Sequence, residues 1–260
     1  QPLINLIQDH INGYDIQHMD ETQIQVLKED GRAATSQSQM WVQRGGPPDK
    51  TVVCYHYDPA RSRAVAERLL DGFSGYVQSD GYSAYKKLEP EITQVGCWAH
   101  VRRKFDEAVK AQAKGKKVGK ARMGLSFIQK LYAIEKQTTD QPAEVRQRAR
   151  QEKSKPIIDK LYAWLIKSLP TVPPTSTTGK ALVYLKNQWP SLLHYLDDGR
   201  LSIDNNPAEN AIRPFVLGRK NWLFADTPAG AHASASLYSL IETAKANDLE
   251  PYQYLRHIFK

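Results

Sequence analysis

The chain has 260 residues, 36 Lys and Arg against 28 Asp and Glu, and a net charge of +8, with 41% hydrophobic and 25% charged residues. That is globular composition, with length for one large core or a core with an inserted lobe, and a basic balance that favours a polyanionic partner without identifying one. The only cysteines, Cys54 and Cys97, exclude a disulfide framework and a Cys-x-x-Cys zinc ribbon, and no apolar run reaches the ~20 residues that span a bilayer, so a reducing, cytoplasmic setting is the expectation.

The first part reads as strands. His18 to Leu27 alternates, with Ile24 and Val26 on one face. Met40 to Gln43 and Thr51 to Tyr55 flank the turn residues Gly45-Gly46-Pro47-Pro48-Asp49, which predicts a hairpin. Ser62 to Leu70 has helical spacing and is stopped by Gly72. Gly75 to Asp80 is a short strand, Ile92 to Trp98 another, with a helix expected between them. An antiparallel meander followed by crossovers is a mixed-sheet α/β pattern.

From Val101 to Leu169 the sequence is helix-prone and basic, interrupted at Lys114-Gly115-Lys116-Lys117. Ile157, Ile158, Leu161, Leu165 and Ile166 form an apolar stripe at helical spacing, read as an internal packing face. Pro170 to Thr178 is a linker by composition, and a helix from Gly179 to Leu196 is broken or kinked near Pro190. Ala233 to Ala246 is helical, and Pro251 starts a short last helix. The expected division is 1–105 for the first part of a core, 106–178 for a helical insertion and linker, and 179–260 for the rest of the core.

Three acids stand in settings that present a carboxylate. Asp20 lies on the first alternating strand, with Glu21 alternating to its opposite face. Asp80 ends a strand before Gly81. Glu209 follows Asn206-Pro207-Ala208 at a helix start. Each has an ordinary explanation too: a solvent-facing strand residue, a turn aspartate, and a near capping box with Asn206 as N-cap. Asp204 rivals Glu209 as the third acid. Together, two strand aspartates and a helix glutamate are the raw material of a two-metal phosphoryl-transfer site, because hard divalent cations prefer carboxylate oxygen.

The stretches Met19-Asp20-Glu21-Thr22, Leu69 to Tyr82, Gly96 to Phe105, Asp198 to Asn210, Gly218 to Phe224 and Tyr238 to Lys245 occur in an order that resembles the insertion-sequence 66 family of bacterial DDE transposases. The resemblance implies an RNase H-like core, a mixed five-stranded sheet flanked by helices, with the helical stretch inserted before the last acid. It implies Asp20, Asp80 and Glu209 as catalytic metal ligands for two Mg²⁺ or Mn²⁺ ions. It also implies metal-dependent cleavage and strand transfer of double-stranded DNA, at transposon ends and target, by a homo-oligomer in the bacterial cytoplasm. The family's elements use accessory proteins. Cys97-Trp98-Ala99-His100 resembles a Cys-x-x-His element of such enzymes, with packing and hydrogen bonding its favoured role and approach of His100 to the scissile phosphate or the acidic cluster the alternative. Arg102, Arg103 and Lys104, and Arg213, Arg219 and Lys220, are the expected DNA-phosphate contacts. Trp222 is expected to be buried rather than to stack on a base. Asn210 stands where many members carry arginine. The family's N-terminal coiled coil, cysteine-rich site and helix-turn-helix are not visible in this sequence, so a catalytic portion of a longer protein or a decayed element is expected. A metal-dependent nuclease that cuts without joining, and a non-catalytic DNA-binding remnant, are the alternatives.

Overall fold

A computed structural model describes residues 2–47, 49–85, 88–111 and 119–260. The expected break at Lys114 to Lys117 lies outside the described residues, as does Pro48 of the expected turn. The chain forms two compact units, residues 1–94 with 205–260, and residues 95–204. The second is wider at both ends than the segment 106–178 expected for the insertion.

The first unit opens with helix α1 (Pro2–Asn12) and continues through strands β1 (Ile16–Val26), β2 (Gln37–Gly45) and β3 (Val52–Asp58), helix α2 (Arg63–Leu69), and strands β4 (Gly75–Gln78) and β5 (Ile92–Val95). It resumes with α8 (Asn206–Trp222), β6 (Phe224–Ala225), α9 (Pro228–Ala246) and α10 (Pro251–Ile258). The sheet order is β3-β2-β1-β4-β5, with β6 beside β1. β1 to β3 form the expected antiparallel meander, and β4 and β6 run parallel to β1. β6 makes the sheet six-stranded rather than five-stranded. In place of the helix expected between β4 and β5, the described residues hold a 3₁₀ turn, Ser83–Tyr85.

Strand alternation sorts the core into two faces. Ile24, Val26, Met40, Val42, Val53 and Tyr55 pack with Ala208, Ile212 and Phe215 of α8 and Ala231 and Ala235 of α9. Met19, Trp41 and Val77 face the other way, against Val65, Ala66 and Leu69 of α2. Even-numbered residues of β1 therefore look toward α8 and odd-numbered ones toward α2. Gly75 brings β4 alongside: its φ is +132°, and a Cβ there would lie 2.3 Å from the Asp15 carbonyl oxygen. At its far end α8 turns through Leu223, whose φ of 64° is left-handed. Ala225 then aligns with Val26, and the Leu27 amide donates to the Ala225 carbonyl at 3.0 Å.

The helical unit comprises α3 (Trp98–Lys110), α4 (Lys120–Gln137), α5 (Ala143–Ala149), a π-helical turn (Arg150–Ser154), α6 (Lys155–Ser168) and α7 (Thr177–Leu193). The run Ile92 to Trp98 is not all strand: β5 ends at Val95, and Cys97 is the N-cap of α3. Of the predicted stripe, Ile158, Leu161 and Leu165 are buried and Ile166 is exposed. Pro190 does not break α7, which runs on to Leu193. Arg150 is wholly buried and uses all five donors. Two go to Glu135, at 2.9 and 2.7 Å, and the others to the carbonyls of Tyr195, Asp198 and Leu201 at 2.7–2.8 Å.

Candidate active site

Asp20 lies on the α8 face of β1 and Glu21 on the α2 face, as their alternation requires. Glu21 is committed on that side. It accepts from Tyr85 Oη at 2.6 Å and from Arg61 Nε at 2.7 Å, and the Arg61 guanidinium lies over the Tyr82 ring at 3.8 Å. Burial nevertheless pushes the Glu21 carboxyl up, against the pull of both donors. Burial and the Glu21 charge also hold the Tyr85 phenol protonated.

Asp80 sits two residues past β4, and its Oδ1 accepts from the Tyr82 amide at 2.8 Å. This is an Asx-type turn, the local reason for aspartate before Gly81. Asp20 Oδ1 accepts from the Glu21 amide at 2.9 Å. Each aspartate thus has one oxygen fixed by backbone, which orients the other.

Glu209 lies in the first turns of α8, the helix packed on β1. The capping-box explanation does not hold. The N-cap is Asn205 rather than Asn206, so Glu209 falls four places after the cap and not three, and the Asn205 side chain makes no capping bond to the helix's own amides. The helix is anchored by other means: the Tyr55 hydroxyl donates to the Ala211 carbonyl, and Arg219 Nη1 donates to Thr22 Oγ1 at 3.2 Å.

The other acids act on Asp20. The Asp20 carboxyl is pushed up to about 7, first by burial, then by the charge of Glu21, with Asp80 and Glu209 adding to it. The elements named by the sequence therefore bring Asp20, Asp80 and Glu209 into one electrostatic neighbourhood. Missing from that reading was Asn205, wholly buried, whose Nδ2 donates to the Met19 carbonyl at 2.8 Å.

The remaining candidates divide by unit. In the sheet unit Arg213 and Lys220 are exposed, while Arg219 is half-buried. Trp222 is half-buried rather than buried, and packs on Phe215, edge to face at 5.2 Å. In the helical unit Cys97 is buried, and it and His100 offer atoms within 4.8 Å of each other at the start of α3. Arg102 and Arg103 are exposed and line a groove of about 300 Å³ with Leu125 and Gln129. Lys104 is half-buried, 3.9 Å from Glu107. Asp204 is buried and accepts from Tyr132 Oη at 2.9 Å. Among the described residues no helix is long and apolar enough to cross a membrane.

Comparison with known proteins adds a family. A family model described as "Transposase IS66 family" matches residues 1–233, and one described as "IS66 C-terminal element" matches residues 239–260. Two curated Sinorhizobium fredii proteins are similar along nearly the whole chain. The uncharacterized protein y4jD is 34% identical over 93% of this chain and 49% of its own length. The uncharacterized protein y4hP is 31% identical over 99% of this chain and 50% of its own. The chain thus spans about half the length of the curated relatives it matches. One chain from a cryo-EM structure of a simian T-cell lymphotropic virus intasome with PP2A regulatory subunit B56 gamma aligns over 54% of this chain and 47% of its own. At 12% identity and a TM-score of 0.26, that likeness carries no argument.

Proposed function

This chain belongs to the IS66 transposase family, and we propose that its sheet unit is an RNase H-like DDE core that cleaves DNA strands and transfers them. The observation that carries the reading is the placement of Asp20 on β1, Asp80 just past β4 and Glu209 on α8 within one unit, where β4 pairs with β1 and α8 packs on it. The mixed sheet, a meander extended by the parallel strand β4, supports the RNase H-like part.

The donor set fits hard divalent cations. It is all carboxylate oxygen, and the Asp20 carboxyl is raised first by burial and then by the charge of its acidic neighbours, so a cation there would favour its ionised form. Asp20, Asp80 and Glu209 would hold two Mg²⁺ or Mn²⁺ ions. Glu209 is preferred to Asp204, because Glu209 is felt at Asp20 while Asp204 is engaged by Tyr132. Bound ions supply the activated oxygen nucleophile and stabilise the leaving oxygen.

The chain's own residues orient and hold. The Glu21 and Tyr82 amides aim Asp20 and Asp80, and Arg61 and Tyr85 keep Glu21 turned toward α2. Arg102, Arg103 and Lys104, with Arg213, Arg219 and Lys220, neutralise DNA phosphates and position the duplex without reading its sequence. Cys97 and His100 stay as packing and hydrogen-bonding residues of α3. A homo-oligomer on DNA, assisted by accessory proteins, completes the reading.

The test is Mg²⁺- or Mn²⁺-dependent nicking and joining of a labelled duplex, with wild type beside Asp80→Asn and Glu209→Gln. Both variants are expected to lose on the order of 10³-fold in rate, as removal of a metal ligand costs several kcal/mol. Joined products separate a transposase from a nuclease. Products that survive in both variants defeat the site.

A further inference from the structure

The start of the Glu209 helix departs from the usual chemistry of its first residue. Asparagine at an N-cap commonly accepts a bond from the second or third helical amide, worth ~1 kcal/mol. Asn205 occupies the N-cap, wholly buried, and its side chain makes no such bond. It reaches β1 instead. Its Nδ2 donates to the Met19 carbonyl at 2.8 Å, and its Oδ1 lies 3.3 Å from His18 Nδ1. With the amide nitrogen turned to a carbonyl, Oδ1 is the acceptor for His18, which assigns the imidazole hydrogen to Nδ1. Burial, then the Arg44 charge, keeps that imidazole neutral.

The other end of Asn205 belongs to the helix. Its backbone carbonyl accepts from the amides of Ala208 and Glu209, both at 3.1 Å. One buried residue thus bonds the peptide that leads into Asp20 and the peptide that carries Glu209. A buried amide is retained where its bonds are satisfied and specific. Here that specificity joins two chain segments 186 positions apart, one residue before Asp20 and four before Glu209.

We infer that Asn205 is a positioning residue that sets the Glu209 carboxylate against Asp20 and so governs how tightly the acids hold a divalent cation. The inference rests on the reading of these acids as a metal site. Groups that orient metal ligands typically affect metal affinity or activity 10–100-fold.

The experiment is a Mn²⁺ titration of the purified chain, read by loss of the free-ion EPR signal, beside a thermal melt. The proteins are wild type, Asn205→Ala, Asn205→Asp and Asp80→Asn. Asn205→Asp keeps side-chain volume and an oxygen for His18, but sets its other oxygen against the Met19 carbonyl. Its added negative charge alone would tighten cation binding, so weaker binding reports geometry. Both Asn205 variants are expected to bind Mn²⁺ about 10-fold or more weakly while melting as folded proteins. If Asn205→Ala does not fold, Asn205→Asp decides. Unchanged or tighter Mn²⁺ binding by folded Asn205→Asp, with binding lost in Asp80→Asn, overturns the positioning role and leaves the metal site standing. Binding that survives Asp80→Asn overturns the metal site, and the positioning role with it.

Discussion

The two units differ in charge as sharply as in architecture. Residues 95–204 carry 21 Lys and Arg against 10 Asp and Glu, a net +11, while the rest of the chain carries 15 against 18, a net −3. The overall excess of +8 is therefore the sum of a strongly basic helical unit and a mildly acidic sheet unit. Long-range attraction for a polyanion belongs to the helices, and the gathered carboxylates belong to the sheet. A sequence-wide pI conceals this division. It also explains how acids can accumulate in a protein read as binding DNA.

The interiors differ as well. The helical unit buries a cation, Arg150, against Glu135 and three carbonyls. Arg150→Met is expected to cost about 3–5 kcal/mol, because it leaves the buried Glu135 carboxylate to Arg146, 3.6 Å away, and removes the donors of three carbonyls. Adding Glu135→Leu should recover only part of that, since the carbonyls of Tyr195, Asp198 and Leu201 still lose their donor. Hydrogen exchange checks this and probes the comparison. Protection lost in 95–204 but kept in β1 to β3 marks two cooperative units, and equal loss in both marks one.

The sheet unit has the opposite problem, a carboxyl raised first by its burial and then by its acidic neighbours. With its carboxyl raised to about 7, Asp20 keeps its proton in the folded chain while the unfolded chain has lost it above about pH 4. Wild type therefore loses stability as pH rises through that window, and the whole penalty is present above about pH 7. Asp20→Asn should melt higher than wild type at about pH 8, by no more than about 2–4 kcal/mol, with the difference vanishing toward about pH 4. Added Mg²⁺ should raise the wild-type melting temperature and close the gap. Equal melts across this range would show that the Asp20 carboxyl is not raised.

The smallest expected effect concerns the helical unit's surface. Arg102→Ala with Arg103→Ala should weaken DNA binding about 10-fold at moderate salt, across all sequences, and flatten the salt slope by about 2. An unchanged slope would remove the α3 groove from the DNA contacts.

Local signals made much of this legible. The alternation around Asp20, the glycine turn after Asp80 and the proline near the start of the Glu209 helix all lie within a few residues of the acid they place. The Leu3, Ile4, Ile7 and Ile11 spacing of α1 was equally available and marks a helix that strand-reading passes over. Ile92 to Trp98 misled because a short apolar run fits a strand or a buried helix start alike. Asn205 was illegible for a different reason. Its partners, His18 and Met19, are at the other end of the sequence, and nothing near it distinguishes an asparagine that caps from one that reaches across.

The left-handed turn at Leu223 bears on mechanical error. Asn205 ties the beginning of α8 to β1 beside Asp20, and the chain reversal after Trp222 ties its end to β1 at Gln25 and Val26. A helix held to one strand at both ends resists slipping by a turn, a displacement of about 5.4 Å that would shift Glu209 along β1. Leu223, whose φ of 64° and ψ of −49° are the rare, strained γ-turn combination, thereby guards the registration of α8 on β1, and with it of Asp20 and Glu209, which the sequence sets 189 residues apart.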